Sequence, residues 1–379
     1  MIVAFASNYL NHHQLPLALA FYNRPDITYY FLAFEPMSQS RIQMGYEDMN
    51  DEYPFVIKAY ESTEQKQKAL QIIQMADIFI SSISDEHIRL RLNAGKRVYR
   101  FSERFYKTYG KKTLRTSSIH FFLSAIKHVL PFSKKDVVYL AASAYLTNDL
   151  QRFVRAKNTV LRWGYFPNHQ IISQQEIIAA KNKGGKIKCL WVGRLIRWKH
   201  PEIALESFIN VAKNNESLEL TIVGEGPMEC ELKNIVKRDG LSEKVTFKKF
   251  MNFEKVRKEM LGSHIFLFTS DESEGWGAVL NEAMDSGCAC IASLSAGSTP
   301  FLIKNGVNGY AYAWDDRQTL IRHLTLLINN YDLRTEMGVR ARETIEKEWN
   351  AENAATKLLE FDAGKRFENG VCSIVGESK

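Results

Sequence analysis

Short apolar runs typical of strands alternate with helical runs through both halves of this chain. A strand followed by a helix and a second strand needs a crossover connection, so the alternation predicts parallel sheets covered by helices on both faces. The expected fold class is α/β, with a doubly wound sheet in each half. The predicted strands are Met1–Ser7, Thr28–Phe34, Asp77–Ser81, Lys96–Phe101, Asp136–Ala142, Thr159–Arg162, Lys186–Val192, Glu219–Val223, Lys244–Phe247, His264–Thr269 and Cys288–Ala292.

A polar segment between the two halves predicts where the domains join. The chain has 379 residues, which suggests about two domains. Residues 169–185 include Ser173 and the pair Gly184-Gly185, a composition typical of a linker. We therefore expect an N-terminal domain at 1–168 and a C-terminal domain at 186–350. A C-terminal helix and a frayed tail are expected at 351–379.

The composition argues against several classes of protein. With 45% apolar and 25% charged residues, the chain is neither disordered nor fibrous. No run of eighteen apolar residues occurs, and strand-like residues start the sequence where a leader segment would otherwise stand. The five cysteines form no CxxC pair or evident ligand cluster, so a cytoplasmic location is expected. We expect no nucleic-acid partner.

A loop with two glutamates follows the predicted strand His264–Thr269. Glu274 and Glu282 are eight residues apart, and Gly275 and Gly277 lie between them at the start of a predicted helix. Free backbone N–H groups and the helix dipole at such a loop favour a bound anion. At helical rise the carboxylates are about 12 Å apart at most, so they could hold groups on either side of a diphosphate. This layout suits a nucleotide-sugar.

Two cations follow the first predicted strand of the second half. Arg194 presents a fork suited to phosphate oxygens, and Lys199 adds a point charge five residues later. With the glycine loop they could neutralise a diphosphate, and no Asp-x-Asp pair indicates a divalent ion. We therefore expect no metal ion and no cofactor besides the diphosphate-sugar substrate. The simpler alternative is a pair of ordinary surface cations.

The turn Gly224-Glu225-Gly226 follows another predicted strand of the second half. It is a weak signal by itself, because many strands end in glycine turns and the third glycine of a dinucleotide fingerprint is absent. The first strand of the chain also lacks a glycine-rich turn. Both observations argue against a hydride-transferring dinucleotide enzyme.

Polar residues also follow the predicted strands of the first half. His12 and His13 come after the first strand, where a histidine could shuttle a proton or bond a hydroxyl group. We favour His13 because it lies nearer the helix start, although either histidine could cap or pack beneath that helix. Glu103 could bond a sugar hydroxyl or pair with Arg104. Polar groups at so many strand ends predict a cleft between two domains.

A basic segment extends from residue 86 to residue 130, and its second part has an apolar pattern at helical spacing. The simpler interpretation is a solvated charged face beside a core-facing helix. The alternative is peripheral contact with anionic lipid on the inner face of the cell membrane. The cations are Arg89, Arg91, Lys96, Arg97, Arg100, Arg104, Lys107, Lys111, Lys112 and Arg115, and the apolar positions are Ile119, Phe122, Leu123, Ile126 and Leu130.

The second half resembles the retaining nucleotide-sugar glycosyltransferases of family 4, which have the GT-B architecture. The resemblance covers about residues 186–350 and implies two Rossmann-like domains facing each other across a cleft, with a C-terminal helix that can cross back to the first. The matching motifs are Val192-Gly193-Arg194-Leu195 with Lys199, Val223-Gly224-Glu225-Gly226-Pro227, Glu274-Gly275-Trp276-Gly277 with Glu282-Ala283-Met284 and Gly287, and Leu302-Ile303-Lys304-Asn305-Gly306-Val307-Asn308-Gly309-Tyr310.

The resemblance also implies roles for individual residues. Arg194 and Lys199 would hold the donor diphosphate. Glu274 would contact the transferred sugar and Glu282 the ribose hydroxyls, while contacts near Phe250 would face the base. The implied donor-binding set is Arg194, Lys199, Gly224, Glu225, Phe250, Gly275, Trp276, Gly277, Ala278, Val279 and Glu282, with Glu274, His13 and Glu103 as catalytic candidates.

The implied function is a retaining, metal-independent transfer of sugar from a nucleoside diphosphate-sugar to a glycan or lipid-linked acceptor, in polysaccharide or glycoconjugate biosynthesis. The first half departs from the family pattern. Asn11-His12-His13-Gln14 stands where members often have a Gly-Gly loop, and Ser102-Glu103-Arg104 where many have a histidine. The acceptor and any acid/base group therefore stay open. The alternatives are a non-catalytic subunit that binds glycan or another transferase, and an epimerase or phosphorylase on the same architecture.

Overall fold

The structure is a computed structural model that describes residues 1–39, 42, 47–105, 114–182, 185–213 and 215–376. Within residues 114–120 it describes only one side chain, that of Ile119. The chain divides into two compact units. One consists of Met1–Asn168 with Trp349–Lys379, and the other of His169–Glu348.

The first unit is built on a seven-stranded parallel sheet. In order across the sheet the strands are β3 (Val56–Lys58), β2 (Thr28–Ala33), β1 (Ile2–Ser7), β4 (Ile78–Ser81), β5 (Val98–Ser102), β6 (Val137–Ala141) and β7 (Val160–Arg162). Every residue of β4 and β6 is buried, as expected of a parallel sheet covered on both faces. The helices are α1 (Leu15–Tyr22), α2 (Thr63–Met75), α3 (Asp85–Asn93), α4 (Leu114–His128) and α5 (Leu146–Val154).

The second unit has a six-stranded parallel sheet of the same kind. The strand order is β10 (Val245–Lys248), β9 (Leu218–Val223), β8 (Ile187–Val192), β11 (Ile265–Phe268), β12 (Ala289–Ser293) and β13 (Tyr310–Tyr312). The order reverses between β8 and β11, and ligands of doubly wound sheets bind at such a switch point. The helices are α6 (Gln174–Lys181), α7 (Pro201–Ala212), α8 (Glu229–Arg238), α9 (Phe253–Leu261), α10 (Val279–Asp285), α11 (Thr299–Leu302), α12 (Arg317–Asn329) and α13 (Tyr331–Lys347).

The predicted strands correspond to eleven of the thirteen strands in the described residues, and two were not predicted. These two are β3 and β13, each only three residues long and each at the edge of its sheet. β7 is equally short and also lies at an edge, yet it was predicted, so length alone does not explain the two omissions. The α/β fold class with two doubly wound sheets is confirmed.

The last helix, α14 (Ala351–Asp362), belongs to the first unit although it follows the second in sequence. The Tyr99 hydroxyl on β5 donates to Asp362 Oδ1 at 2.6 Å, and Arg24 after α1 bonds the Thr356 hydroxyl. The C-terminal helix therefore crosses back to the first unit, as the resemblance implied.

Residues 371–375 are ordered and pair with the outer edge of β7. Arg162 N donates to Ser373 O at 2.8 Å, and Cys372 N donates back to Arg162 O at 2.9 Å. Val375 N donates to Val160 O at 2.8 Å, and Cys372 is fully buried. The prediction of a frayed tail is therefore wrong for these residues. Backbone hydrogen bonds to the open edge of β7 hold the segment, and no pattern of side chains in the sequence indicates such bonds.

The predicted linker 169–185 contains helix α6 and belongs to the second unit. Ser173 and Glu176 form a reciprocal capping box at the helix start, and Lys181 is buried at its end. Lys181 Nζ donates to Met260 O at 3.3 Å and also bonds Ser263 O. The polar residues at the start of this segment therefore cap a helix, and the segment is not a flexible connection as predicted.

The basic segment 86–130 combines buried structural cations with an exposed apolar stripe. Arg91 is buried, and its guanidinium donates to five backbone carbonyls. Arg100 bonds Asp85 Oδ1 at 2.9 Å and is also buried. The apolar face that we expected to meet the core is instead between 40% and 59% exposed. It consists of Ile119, Phe122, Leu123 and Ile126 on α4, and of Leu130 just after the helix. The core-facing interpretation is therefore wrong for this stripe.

The segment contains further cations besides Arg91 and Arg100. Lys107, Lys111 and Lys112 lie outside the described residues, as does the side chain of Arg115. Arg104 pairs with Asp149 at 3.3 Å. Across the described ranges, no helix has the length and apolar character needed to cross a bilayer.

Replacing Arg91 should destabilise the first unit strongly. Its carbonyl partners are those of Ile73, Gln74, Ala76, Asp77 and Arg97, which include the end of α2. Arg91→Met leaves buried carbonyls without a donor, so we expect the free energy of unfolding to fall by about 3 kcal/mol in urea titrations.

The matched control is Arg89→Met, two residues earlier on the same helix and exposed. It should cost less than about 1 kcal/mol, because its main contact is with the ring of Phe132 at 5.3 Å. Equal losses in the two variants would show that the carbonyl cluster does not depend on Arg91.

Candidate functional site

The carboxyl ends of β8 and β11 carry the two loops that the sequence predicts to bind a diphosphate-sugar. These strands are hydrogen-bonded neighbours, with Cys189 opposite Ile265 and Leu190 opposite Phe266. Since both strands point the same way, residues 193–200 and residues 269–278 emerge side by side. The sheet therefore brings together the cation loop, residues 193–200, and the glutamate loop, residues 269–278.

The two loops meet in an ion pair between Lys199 and Glu274. Lys199 Nζ contacts Glu274 Oε2, and the Ser270 hydroxyl donates to the same oxygen at 2.9 Å. The side chains are only 14% and 10% exposed. A pair so far withdrawn from water is less screened than an ordinary surface ion pair.

Trp198 lies beside both cations of the cation loop. The Lys199 Nζ is 4.8 Å from the centre of its ring and the Arg194 Cζ is 5.6 Å from it. Within the described residues Arg194 forms no ion pair, and its side chain is exposed. The indole face stabilises both cations without neutralising either of them. Trp198 was not among the predicted site residues.

The backbone of the cation loop is fixed to the start of the glutamate loop. The Thr269 hydroxyl lies 2.8 Å from Lys199 O and 2.9 Å from His200 O, and it accepts a hydrogen bond from Trp191 Nε1 at 2.9 Å. Asp271 N donates to Trp198 O at 3.0 Å. These bonds set the distance between Lys199 and Glu274 independently of the ion pair itself.

His200 joins the same two loops through its ring. It precedes Pro201, the first residue of α7, in a left-handed conformation with φ 48°. Its Nδ1 is 2.8 Å from Glu202 Oε1 and its Nε2 is 3.2 Å from Asp271 Oδ2. Burial alone would lower the pKa of His200, but hydrogen bonds to these carboxylates outweigh it and raise the pKa to about 9. The imidazolium is thus a positive charge behind the cation loop.

The glycine part of the glutamate loop leaves backbone donors unused. The N–H groups of Gly277, Ala278 and Val279 donate no hydrogen bond to any described residue. Gly277 has φ 86°, and a Cβ there would lie 2.4 Å from the ring of Phe268. Helix α10, which follows, has only seven residues, so these donors matter more than its dipole.

Trp276 belongs to the predicted donor-binding set through its backbone amide, and its side chain is buried. Its side chain is 1% exposed, and its Nε1 donates to Asn281 Oδ1 at 2.8 Å. The ring also lies 6.2 Å from that of Phe301. Trp276 therefore fixes the glutamate loop to the core of the second unit, and its side chain does not line an open site.

Glu282 lies in α10 with a buried carboxyl group. Burial raises its pKa to about 7, although the charge of Arg257 opposes the shift. Glu282 therefore keeps its proton to a higher pH than an exposed glutamate does, and the protonated carboxyl can donate a hydrogen bond to a hydroxyl group.

A buried ionic network that was not predicted holds α10 on the side facing α9 and α13. Asp285 contacts Arg257 Nη2, and its carbonyl accepts from Arg342 Nη1 at 2.5 Å. His169 Nδ1 and Gln170 N also bond its carboxylate, the latter at 3.2 Å. Burial alone would raise the pKa of Asp285, but His169 and Arg257 hold it below its usual range. Four separated segments thus meet at one carboxylate.

Gly224 and Glu225 brace the cation loop. Gly224 has φ 139°, and a Cβ there would lie 1.9 Å from Gly193 O. Gly193 N donates to Val223 O at 3.0 Å, and Glu225 O accepts from Leu195 N at 2.9 Å. The Glu225 carboxylate accepts from Phe250 N at 3.3 Å. Close packing of the backbone against Gly193 therefore explains why residue 224 is a glycine, and no ligand is needed for that explanation.

The catalytic candidates of the first unit converge on a tyrosine that was not predicted. The Tyr165 hydroxyl donates to Glu103 Oε1 at 3.2 Å, and its ring lies 5.8 Å from that of His13. The His13 and His12 rings are 3.8 Å apart. His13, Glu103 and Tyr165 all follow the carboxyl ends of strands in the first sheet. No group of three metal-holding side chains occurs anywhere in the part of the chain that the structure describes.

Comparisons with known proteins find relatives of this chain. Residues 173–344 match the family described as "Glycosyl transferases group 1". An uncharacterised glycosyltransferase of Methanocaldococcus jannaschii is 29% identical over 58% of this chain and 56% of its own length. The N-acetyl-alpha-D-glucosaminyl L-malate synthase of Bacillus anthracis is 23% identical over 62% of each chain.

A solved structure extends the likeness over nearly the whole chain. The crystal structure of Anabaena HepE in complex with UDP is similar with a TM-score of 0.68 and 14% sequence identity, covering 96% of this chain and all of that one. The fold is GT-B, with two Rossmann-like domains.

Gly224→Ala should destabilise the second unit by more than about 3 kcal/mol, because its Cβ would strike the Gly193 carbonyl. Gly240→Ala is the matched control, since Gly240 also has positive φ (71°) but nothing lies within 4 Å of the added carbon. The control should cost only about 1 kcal/mol. Urea unfolding measures both, and equal costs would contradict the bracing contact.

The stability of the second unit should fall as the pH rises from about 4.5 to 7. Glu282 has a raised pKa of about 7 in the folded protein, so between these values the unfolded chain loses a proton that the folded one keeps. Below this window Glu282 makes its full contribution. As the pH rises through this window, the free energy of unfolding of the wild type should fall relative to that of Glu282→Gln by up to about 3 kcal/mol.

Urea titrations at pH 4.5 and pH 8 measure this difference. The control is Glu254→Gln, an exposed position on neighbouring helix α9. It should leave the pH dependence of the wild type unchanged. A constant offset between wild type and Glu282→Gln at all pH values would contradict the burial effect.

Proposed function

We propose that this protein is a glycosyltransferase that uses a nucleoside diphosphate-sugar as its donor. The observation that carries the proposal is the contact of Lys199 with Glu274 beside Arg194 and the unused backbone donors of the glutamate loop. Cations and N–H groups suit a diphosphate, and a carboxylate suits sugar hydroxyls. The family match over residues 173–344 and the UDP complex of HepE support the same class of donor.

Donor binding would redistribute the charges of the ion pair. A diphosphate brings about two negative charges to Lys199 and Arg194, so Lys199 exchanges a carboxylate partner for phosphate oxygens. Glu274 then becomes available to the hydroxyl groups of the sugar, while Ser270 keeps it in place through its 2.9 Å hydrogen bond. Glu282, farther along the same segment, is assigned to the ribose hydroxyls.

The transfer would break the bond between the anomeric carbon and the diphosphate oxygen and form one to the acceptor oxygen. Positive charge grows on the sugar ring and negative charge on the leaving diphosphate, as in other reactions with oxocarbenium character. Arg194, Lys199 and the N–H groups of 277–279 stabilise the negative charge. The acceptor proton passes to a diphosphate oxygen on the same face, which retains the anomeric configuration. No metal is needed in this scheme.

The acceptor is assigned to the polar edge of the first unit. His13, Glu103 and Tyr165 offer donors and acceptors of the kind that bind glycan hydroxyls. A glycan or lipid-linked acceptor, in polysaccharide or glycoconjugate synthesis, fits these groups. Gly224, Glu225 and Phe250 would border the base through backbone contacts.

Lys199→Met and Arg194→Met should each weaken nucleoside diphosphate binding on the order of 100-fold, because each removes one charge-assisted contact. Isothermal titration with UDP, ADP and GDP measures the dissociation constants. Lys237→Met, an exposed lysine of α8, is the control and should bind like wild type. If wild type binds none of these nucleotides at millimolar concentration, the proposal fails.

Glu274→Gln should keep the fold and nucleoside diphosphate affinity while lowering turnover by about two to four orders of magnitude. Release of nucleoside diphosphate from the best donor of a panel measures turnover. Full turnover in this variant would end the assignment of Glu274. Nucleotide binding without any release by wild type would instead favour a non-catalytic subunit.

A further inference from the structure

An exposed apolar stripe on α4, continued by Leu130 just after the helix, is not explained by the proposed transfer reaction. Its five side chains recur at helical intervals, while Phe121 and Ala125 on another face of the helix are buried. The five side chains form a continuous row of large apolar groups, and each is at least 40% exposed. They are those of Ile119, Phe122, Leu123, Ile126 and Leu130. Such a row marks a surface that another molecule covers.

A basic cavity adjoins the end of this stripe. Its volume is about 610 Å³, and Leu130 lines it as well as ending the stripe. It lies where strands β6 and β7 begin, which is the edge of the sheet opposite His13 and Glu103. The cations that line it are Arg97, Lys134, Lys135, Arg155, Lys157 and Arg366.

Most of these cations have no acidic partner. Among the lining residues Asp136 is the acid, and it is already bonded by Arg97 Nε at 2.9 Å. In the described part of the chain, Lys134, Lys135 and Lys157 form no ion pair and are exposed. From residue 114 to residue 135 the sequence contains no Asp or Glu at all. The cavity therefore carries a strong excess of positive charge next to an apolar surface.

We propose that the stripe of α4 and the adjoining basic cavity together dock on a membrane leaflet that contains anionic phospholipid. The apolar side chains enter the acyl boundary, and the lysines and arginines meet phosphate headgroups. Two copies of this chain would not associate through this face, because the same positive charges would face each other. This contact is a separate property from sugar transfer.

Vesicle flotation tests the docking. Wild type should bind vesicles of phosphatidylcholine with about one-third phosphatidylglycerol far more tightly than vesicles of phosphatidylcholine alone, and about 1 M salt should weaken the binding. The triple variant Phe122→Ser, Leu123→Ser, Ile126→Ser should lose on the order of 100-fold in partition coefficient. Ile171→Ser with Leu326→Ser, two exposed apolar residues of the second unit, is the control and should bind like wild type.

A second variant tests the basic cavity. We expect a triple variant to lose on the order of 100-fold in partition coefficient on the mixed vesicles, with no change on phosphatidylcholine alone. Its substitutions are Lys134→Gln, Lys135→Gln and Lys157→Gln. The control Lys237→Gln, Lys255→Gln, Lys258→Gln removes the same charge from exposed positions of the second unit and should change binding little.

Three outcomes would overturn the docking surface. One is equal binding of wild type to both kinds of vesicle, and another is unchanged binding by the stripe variant. The third is a stripe variant whose only change is a smaller assembly mass in solution, which would make this face a protein interface. Circular dichroism and UDP titration of each variant verify that the fold and the donor site persist, so failure here is distinct from failure of the proposed transferase activity.

Discussion

The candidate site depends on the backbone contacts between the cation loop and the glutamate loop. The Thr269 hydroxyl lies within hydrogen-bond distance of the Lys199 and His200 carbonyls and accepts from Trp191 Nε1, and Asp271 N donates to Trp198 O. The groups that form these bonds are not among those expected to contact a ligand. In the proposed donor complex, Lys199 would therefore exchange its acidic partner for phosphate while the backbone of the loop keeps its position. A charge that is positioned before the ligand arrives stabilises developing negative charge with little reorganisation.

Much of the fold and part of the site could be predicted from the sequence, because both follow from periodicity and from parallel topology. The long apolar runs gave eleven strands, and the rule that ligands bind at strand carboxyl ends brought Arg194, Lys199 and Glu274 to one place. The structure adds Trp198 beside both cations, and shows that Trp276 packs inward. Contacts with distant segments decide whether the side chain of a loop residue turns toward the core. These contacts cannot be read from a single sequence.

The Asp285 network shows the same limit more clearly. Arg257, Arg342 and His169 are separated in sequence from Asp285 and from one another, yet they meet at one buried carboxylate. Buried ion pairs of this kind are strongly destabilising when one partner is removed. The network holds helix α10, and with it Glu282, from the side away from the glycine loop. Likewise, the periodicity of α4 was recognised correctly, but periodicity alone did not reveal that its apolar stripe faces water.

The pairing of residues 371–375 with β7 also bears on how this protein can be handled. β7 is the outermost strand of the first sheet, with hydrogen-bonding groups on the side away from β6. The C-terminal segment covers that side through Cys372, Ser373 and Val375. Removing the segment would leave a bare template for strands of other molecules. An affinity tag or fusion partner is therefore better joined at the beginning of the chain, where it does not pull on this cover.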